Sequence, residues 1–304
     1  MKNKIENNFY VLFILLLIMW GSYAALSKFA LNGLDAFQVQ FYSYGIASCV
    51  MIAAFIKSKK YKDIKQFSLK QWGIVITCGL TSCAYIYFYN LALSMADEHH
   101  ITTVIMINYL FPIFVAIFSV PINGERLNLK KIISILISSV GAFVVVTGGA
   151  GFLIDFENII MYILALAAAI SWGLFSGFGK RNSVPMIISN SVYVLIGFIV
   201  TVILLPFNSS FVLVDLNIFM VISWLGVTNF IISVFIWIKL LKINNSSKVA
   251  GLSLLTPFTS LLFVKLIFPD TQISVYHVIG LVLILAGVAL QNIGEKNGSA
   301  KNRN

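Results

Sequence analysis

Charged residues are scarce in this 304-residue chain. They make up 11% of it, against about 25% in an ordinary soluble domain, whereas 59% of the residues are hydrophobic and the mean hydropathy is +0.94. This composition excludes a water-soluble globular protein. A helix that crosses about 30 Å of hydrocarbon needs about 20 mostly apolar residues. Ten such runs are present, at residues 9–30, 37–56, 71–95, 101–121, 132–149, 159–179, 185–206, 217–238, 249–268 and 275–293. The sequence therefore predicts an all-α integral membrane protein with ten transmembrane helices.

Basic residues are nearly absent from alternate loops between these runs. Lys and Arg concentrate at residues 57–70, 126–131, 180–181 and 239–248, and at both chain ends. The other loops carry Asp35, Asp97, Glu98, Asp155, Glu157, Asp215 and Asp270. This asymmetry follows the positive-inside rule and predicts that both termini are cytoplasmic. The formal charge of +10 then reports membrane topology, so we expect a lipid bilayer and no nucleic acid as partner.

Cysteine is also rare, and acidic residues are missing from the middle of every predicted span. Cys49, Cys78 and Cys83 lie within spans without metal-ligand spacing, so we expect them to be packing residues. Ion-coupled carriers usually keep an ionisable group inside the membrane. No Asp or Glu lies deep in a span here, which argues against a carrier of that kind, and Lys28 and Lys265 are expected to place their ammonium groups at the membrane surface.

Two halves of the chain share an ordered set of residues, which indicates an internal repeat. Each half has a Trp-Gly pair followed by a lysine eight positions after the tryptophan, then a glycine in its third span and a proline in its fourth. The matched residues are Trp20, Gly21, Lys28, Gly79 and Pro112 in the first half, and Trp172, Gly173, Lys180, Gly226 and Pro257 in the second. Because each half holds five spans, the second enters the membrane from the opposite side. We therefore predict two inverted five-helix repeats, at residues 1–150 and 151–304.

One stretch of the first half carries a family resemblance. It contains Ala92-Leu93-Ser94, His99-His100, Asn108-Tyr109-Leu110-Phe111-Pro112 and Asn123-Gly124, and in the second half Trp237 precedes Thr256-Pro257. Across residues 10–293 the chain resembles the aromatic amino acid exporters of the EamA-like group in the drug/metabolite transporter superfamily. Phe111 replaces a tryptophan of that pattern, Ile238 replaces an asparagine, and Glu125-Arg126 replaces an uncharged pair.

The resemblance implies export of aromatic or large apolar amino acids by alternating access, through a central cavity lined by aromatic side chains. The lack of a deep acidic group favours facilitated or weakly coupled transport. It places the protein in the bacterial inner (plasma) membrane, and we expect a monomer without cofactor or metal that is not an enzyme. The expected substrate-binding residues are Trp20, Tyr85, Tyr89, Asn108, Tyr109, Phe111, Trp172, Trp237 and Thr256.

Residue chemistry gives independent reasons for part of this site. Tyr85, Phe88, Tyr89 and Ala92 share one helix face, where aromatic rings can stack on a substrate ring. Proline removes a backbone donor, so carbonyl groups are freed at the bends that Pro112 and Pro257 are expected to make, as kinks or hinges. The alternatives are an interfacial tyrosine belt and bends that serve packing alone.

The adjacent His99 and His100 lie beside Asp97 and Glu98 in a predicted loop. Four consecutive residues cannot form a tetrahedral metal site without strain, so we expect a gating role, a loop-ordering role or a solvated turn. Gly173 and Gly177, four residues apart, predict close helix packing.

Two other functions remain open at this stage. A broader exporter of drugs or metabolites would use the same fold with a larger cavity. An intramembrane acyl or glycosyl transferase would need acidic or histidine groups that converge at one membrane face, and only the His99-His100 turn offers any.

Overall fold

The computed structural model describes residues 8–31, 33–97, 99–150 and 159–292, and its regular secondary structure within these ranges is entirely helical. The helices are α1 Phe9–Ala30, α2 Ala36–Ser58, α3 Leu69–Met95, α4a Ile101–Asn108, α4b Phe111–Asn123, α5 Leu129–Thr147, α6 Ile159–Arg181, α7 Met186–Asn208, α8a Leu216–Leu225, α8b Ser233–Ile243, α9a Ser246–Ser253, α9b Thr256–Ile267 and α10 Val275–Asn292. A π-helical stretch, Gly226–Ile232, joins α8a to α8b, and a 3-10 helix, Lys60–Gln66, follows α2.

Nine helical segments in the described residues are long and apolar enough to cross a membrane, with α4, α8 and α9 each counted as one. A tenth apolar helix, residues 275–291, is shorter. The prediction of a multi-pass helical membrane protein is confirmed, whereas the tenth span stays a prediction. Glu98, Asp155, Glu157, both chain ends and the predicted repeat boundary after residue 150 lie outside the described residues or at their edge, so the topology also stays a prediction.

Several helices begin before their predicted apolar runs because a polar side chain caps the helix start. α3 begins at Leu69 rather than at residue 71, because Ser68 and Gln71 form a capping box. α9a begins at Ser246 rather than at residue 249, because the Asn245 side chain accepts a hydrogen bond from the Ser247 N–H. Each cap satisfies N–H groups that would otherwise lack partners at the helix start.

Two helices are interrupted two residues before a proline. α4a ends at Asn108 and α4b resumes at Phe111, next to Pro112. α9a ends at Ser253 and α9b resumes at Thr256, next to Pro257. Proline has no N–H to donate to the carbonyl four residues earlier. The carbonyl groups of Asn108 and Ser253 therefore lack their usual helical donor in the middle of a span.

The helices pack mainly across the two halves of the chain. α3 contacts α6 and α7, while α8 contacts α1 and α2; α4b contacts α6, while α9b contacts α1. Two further pairs, α2 with α7 and α5 with α10, join equivalent helices, and α4b also contacts α9a. Exchanging the halves therefore reproduces these contacts except the one between α4b and α9a, whose counterpart, α9b with α4a, is at most a minor contact.

The bundle has two chemically different ends. The ends of α2, α6 and α8b and the starts of α3 and α9a form the lysine-rich end, with Lys57, Lys59, Lys60, Lys70, Lys180, Lys242 and Lys248. The opposite, acidic end carries Asp35, Asp97, Asp215 and Asp270.

Cysteine placement confirms part of the packing prediction. Cys78 and Cys83 are buried, but Cys49 is exposed on α2. The prediction was wrong for Cys49, because hydrophobicity alone does not distinguish a residue that faces lipid from one that faces another helix.

Glycines let α5 and α10 approach closely, as small residues do in membrane bundles. A Cβ atom on Gly280 would lie 2.6 Å from the Gly141 carbonyl oxygen and 2.8 Å from the Val145 nitrogen. These are backbone atoms, which cannot rotate away as a side chain can.

We expect Gly280→Ala to lower the free energy of unfolding by about 1–3 kcal/mol, the usual cost of overpacking. The measurement is the thermal unfolding midpoint in detergent. Gly73→Ala is the matched control, because no heavy atom lies within 4 Å of its added Cβ and alanine favours helix. Equal midpoints for the two variants would contradict the close approach of α5 and α10.

A tryptophan cluster as the candidate substrate site

Three tryptophans from three helices meet inside the bundle. The ring centroids of Trp20 on α1 and Trp172 on α6 are 5.8 Å apart, and Trp237 on α8b lies 5.1 Å from Trp20 and 6.0 Å from Trp172. These separations fall within the range of favourable aromatic pairs, about 4.5–7 Å. The sequence alone predicts each of them as a separate substrate-binding residue, and the structure places them in one cluster.

Further aromatic rings surround Trp172. The centroids of Tyr85 and Phe175 lie 4.8 Å and 5.0 Å from it, and that of Phe111 lies 6.4 Å away. Tyr89 is stacked on Tyr85, with centroids 6.2 Å apart and an interplanar angle of 7°. α3, α4b and α6 thus contribute to one aromatic surface.

Burial differs within this aromatic surface. Trp237 is fully buried and Trp172 is 8% exposed, whereas Trp20, Tyr85 and Tyr109 are half-buried. Tyr109 also lies 6.4 Å from Phe111, centroid to centroid. The surface therefore has a closed side at Trp237 and more accessible rings on α1, α3 and the α4 interruption.

The two buried indoles differ in hydrogen bonding. Trp237 Nε1 donates to Ser176 Oγ at 2.9 Å, and Ser176 Oγ donates to the Trp172 carbonyl oxygen at 2.8 Å. This chain fixes the orientation of Trp237. Trp172 Nε1 is buried without a hydrogen-bond partner, which costs free energy unless a ligand accepts a hydrogen bond from it.

The helix interruptions supply two more buried polar atoms without partners, Asn108 Oδ1 and Thr256 Oγ1. Asn108 ends α4a and Thr256 begins α9b. Similar atoms occur elsewhere in the described residues, for example at Ser43 and Asn190, so only the position of the first two at mid-span interruptions makes them candidates. Half-helix starts attract negative charge and half-helix ends attract positive charge.

The predicted stripe on α3 divides in the structure. Tyr85 and Tyr89 lie on the aromatic surface, but the Phe88 ring packs on Tyr87, with centroids 6.0 Å apart. Ala92 is buried in a separate hydrophobic cluster with Met161. This face of α3 is long enough to contact the aromatic surface at Tyr85 and Tyr89 and a separate hydrophobic cluster at Ala92.

The packing prediction for Gly173 and Gly177 is confirmed. A Cβ atom on Gly173 would lie 2.6 Å from Phe114 Cβ, and one on Gly177 would lie 2.8 Å from Ile122 Cδ1. Both glycines allow α6 to approach α4b, which brings Phe111 within reach of Trp172.

The histidine pair lies at the acidic end of the bundle, in the loop before α4a. His100 Nδ1 is 2.6 Å from Asp97 Oδ1, which also accepts the backbone N–H groups of His99 and His100. Partial desolvation raises the pKa of Asp97, but these hydrogen bonds outweigh it and the pKa lies below its ordinary value. The contacts organise the loop before α4a, and the described residues contain no cluster suited to a metal ion.

Sequence reasoning did not identify an ion pair at the lysine-rich end. Lys180 Nζ lies 2.6 Å from Glu125 Oε1, with side chains only 18% and 11% exposed. Glu125 Oε2 accepts the Ser246 N–H at 2.9 Å, and Lys180 also donates to the Asn244 carbonyl oxygen at 2.7 Å. The signal available in the sequence is a single acidic residue, Glu125, in an otherwise basic loop.

One solved structure and two proteins named as transporters or efflux pumps are similar to this chain. One solved crystal structure matches with a TM-score of 0.81 over 94% of this chain and 97% of that chain, at 20% identity. The "Uncharacterized transporter YvbV" of Bacillus subtilis (strain 168) is 24% identical, over 97% of this chain and 95% of that protein. The "Probable amino-acid metabolite efflux pump" of Escherichia coli (strain K12) is 26% identical, over 56% of this chain and 60% of that protein.

The model of the EamA-like transporter family matches residues 8–147 and 159–293. These two segments include every helix described above. This match indicates a membrane transporter of small molecules. The chain belongs to the EamA-like transporter family.

Proposed function

We propose that this transporter exports aromatic or other large apolar amino acids across the bacterial inner (plasma) membrane by alternating access, as a monomer. The tryptophan cluster is the observation that carries the proposal. Trp20, Trp172 and Trp237 come from both halves of the chain and meet with centroids 5.1 Å to 6.0 Å apart. A relative with 26% identity bears the name of an amino-acid metabolite efflux pump, which agrees with this substrate class.

Recognition of the substrate side chain rests on the accessible rings. Trp20, Tyr85 and Tyr109 are half-buried, so part of each ring is free to contact a planar substrate ring that inserts beside them. Each offset or edge-on aromatic pair contributes about 0.5–1.5 kcal/mol beyond the burial of apolar area. A large aliphatic side chain also buries apolar area, but it forms no aromatic pairs. It is therefore expected to bind more weakly.

Recognition of the amino acid backbone rests on the unpartnered polar atoms. A substrate carboxylate can accept from Trp172 Nε1, and a substrate ammonium can donate to Asn108 Oδ1. Among the described residues, the buried polar side chains include no Asp, Glu, Lys or Arg. A site without net charge suits a zwitterion, because an uncompensated ion is costly to bury. A cationic drug would require a carboxylate partner here.

Alternating access rests on the exchange of halves. Most of the main helix contacts are reproduced when α1–α5 and α6–α10 are interchanged, and the family model matches one segment in each half. We propose that residues 1–150 and 151–304 are inverted repeats that rock about the tryptophan cluster, with Pro112 and Pro257 as hinges and the His99-His100 loop as part of a gate. Inverted repeats of this kind build many carriers with a central site.

Counterflow of radiolabelled phenylalanine, tyrosine and tryptophan into proteoliposomes tests the proposal. We expect uptake well above that of empty liposomes and unaffected by a pH gradient, because no Asp, Glu, His, Lys or Arg side chain is buried among the described residues. If folded protein exchanges none of the three but exchanges amphipathic cations, the amino acid proposal is wrong and the broader drug exporter takes its place.

A further inference from the structure

The ion pair between Glu125 and Lys180 connects both halves of the chain at the lysine-rich end. Glu125 follows α4b, Lys180 lies in the last turn of α6, and Ser246 begins α9a. One carboxylate accepts from Lys180 Nζ at 2.6 Å, from the Ser246 N–H at 2.9 Å and from Ser246 Oγ at 2.5 Å. These contacts hold three helix ends together at the lysine-rich end of the bundle.

The internal repeat gives every member of this contact a counterpart. Glu125 lies thirteen positions after Pro112, and Asp270 lies thirteen positions after Pro257. Lys180 lies eight positions after Trp172, as Lys28 does after Trp20. Ser246 and Ile101 each lie eleven positions before their proline, and each is the first residue of a half-helix, α9a and α4a.

The two equivalent places are in different states in this structure. At the lysine-rich end, Ser246 is 2% exposed and the Glu125 side chain is 11% exposed. At the acidic end, Asp270 is exposed and Ile101 is 40% exposed. A transporter that alternates between two related conformations is expected to show this asymmetry in either one of them.

We propose that Glu125 and Lys180 form a gate that closes the lysine-rich end, and that Asp270 and Lys28 form the equivalent gate, which closes the acidic end in the opposite conformation. The proposal rests on alternating access as proposed above, and assigns residues to its two closed states. Each gate places a carboxylate between a lysine and the N-terminus of a half-helix, where both the charge and the helix dipole favour it. Opening one gate while closing the other exchanges two similar sets of contacts, so neither conformation is strongly disfavoured.

A cysteine reporter below the first gate tests this assignment. Ala250 is fully buried, one turn deeper in α9a than Ser246, and belongs to the same hydrophobic cluster as Trp237. The background is Cys49→Ala, Cys78→Ala and Cys83→Ala, with Ala250→Cys as the only thiol. The measurement is the rate of modification by a membrane-impermeant, charged methanethiosulfonate, added to right-side-out vesicles and to inside-out vesicles.

We expect slow modification of the reporter in the parent protein. Glu125→Gln and Lys180→Met should each raise the rate at least about tenfold, and from one side of the membrane only, because each shifts the population towards the conformation open at that end. The double variant should be no faster than the faster single variant, since both changes remove one interaction. Asp270→Asn added to Glu125→Gln should return the rate towards the parent value by weakening the opposite closed state.

The matched control is Asp63→Asn. Asp63 pairs with Lys60 at 2.8 Å at the same end, but both side chains are much more exposed, so its loss should leave the rate unchanged. Parent-like rates in both Glu125→Gln and Lys180→Met would overturn the first gate. A rate in Glu125→Gln that Asp270→Asn does not lower would overturn the second.

Partial unfolding is separated from gate opening by the same set of variants. A second destabilising substitution cannot refold a protein, so restoration by Asp270→Asn identifies a shift between conformations. The reporter assay uses no substrate. A gate that responds while amino acid counterflow fails would therefore reject the substrate class alone, whereas counterflow with a silent reporter would reject the gate alone.

Discussion

Replacing Trp172 with alanine is expected to reduce phenylalanine counterflow at least about tenfold, which corresponds to about 1.4 kcal/mol or more. The Trp172 ring contacts those of Trp20, Tyr85, Phe111, Phe175 and Trp237, more of the site than any other ring in the described residues. Its loss removes both the stacking surface and the indole N–H without a partner. The initial rate of counterflow in proteoliposomes is the measurement.

Trp224→Ala is the matched control for this truncation. Trp224 lies on α8a and is 51% exposed on the bundle surface, so the same change in volume should leave counterflow near the parent rate. Truncation of a buried tryptophan costs stability of about 3–5 kcal/mol, and monodisperse size-exclusion behaviour must therefore be shown for both variants. Trp172→Phe keeps an aromatic ring without the N–H and should give an intermediate rate. Full activity in folded Trp172→Ala would remove the cluster as the substrate site.

The overall architecture could be predicted from the sequence because lipid leaves few alternatives. Backbone polar groups inside a bilayer must be satisfied within the same segment, so a long apolar run is a helix. The nine segments long enough to cross a membrane follow directly from this constraint. The interruptions before Pro112 and Pro257 are equally local, since a missing N–H acts on the same helix.

Contacts between distant parts of the chain could not be read in the same way. The hydrogen bond from Trp237 to Ser176 joins residues 61 positions apart, and that from Lys180 to Glu125 joins residues 55 positions apart. Neither pair has a sequence pattern that specifies the partner. The exposure of Cys49 has a related cause, because apolar residues face lipid as readily as they face another helix.

Replacement of Asn108 by leucine is expected to weaken phenylalanine binding about tenfold or more, since a hydrogen bond to a charged group contributes about 1.5–3 kcal/mol. Leucine keeps much of the side-chain volume but cannot accept a hydrogen bond from the substrate ammonium group. Competition of unlabelled phenylalanine against labelled tryptophan in counterflow gives the apparent affinity. 3-Phenylpropionate lacks the ammonium group. It should therefore compete against labelled tryptophan equally well in the parent protein and in Asn108→Leu.

Asn190→Leu separates this role from general effects of a buried asparagine. Asn190 is fully buried, its Oδ1 also lacks a partner, and its Nδ2 donates to the Phe230 carbonyl oxygen at 3.3 Å between α7 and the π-helical stretch. The change should lower stability without changing the affinity for phenylalanine. If both variants weakened binding alike, the effect would come from bundle packing. If only Asn108→Leu did so, and only for ligands with an ammonium group, the interruption in α4 would bind the charged end of the substrate.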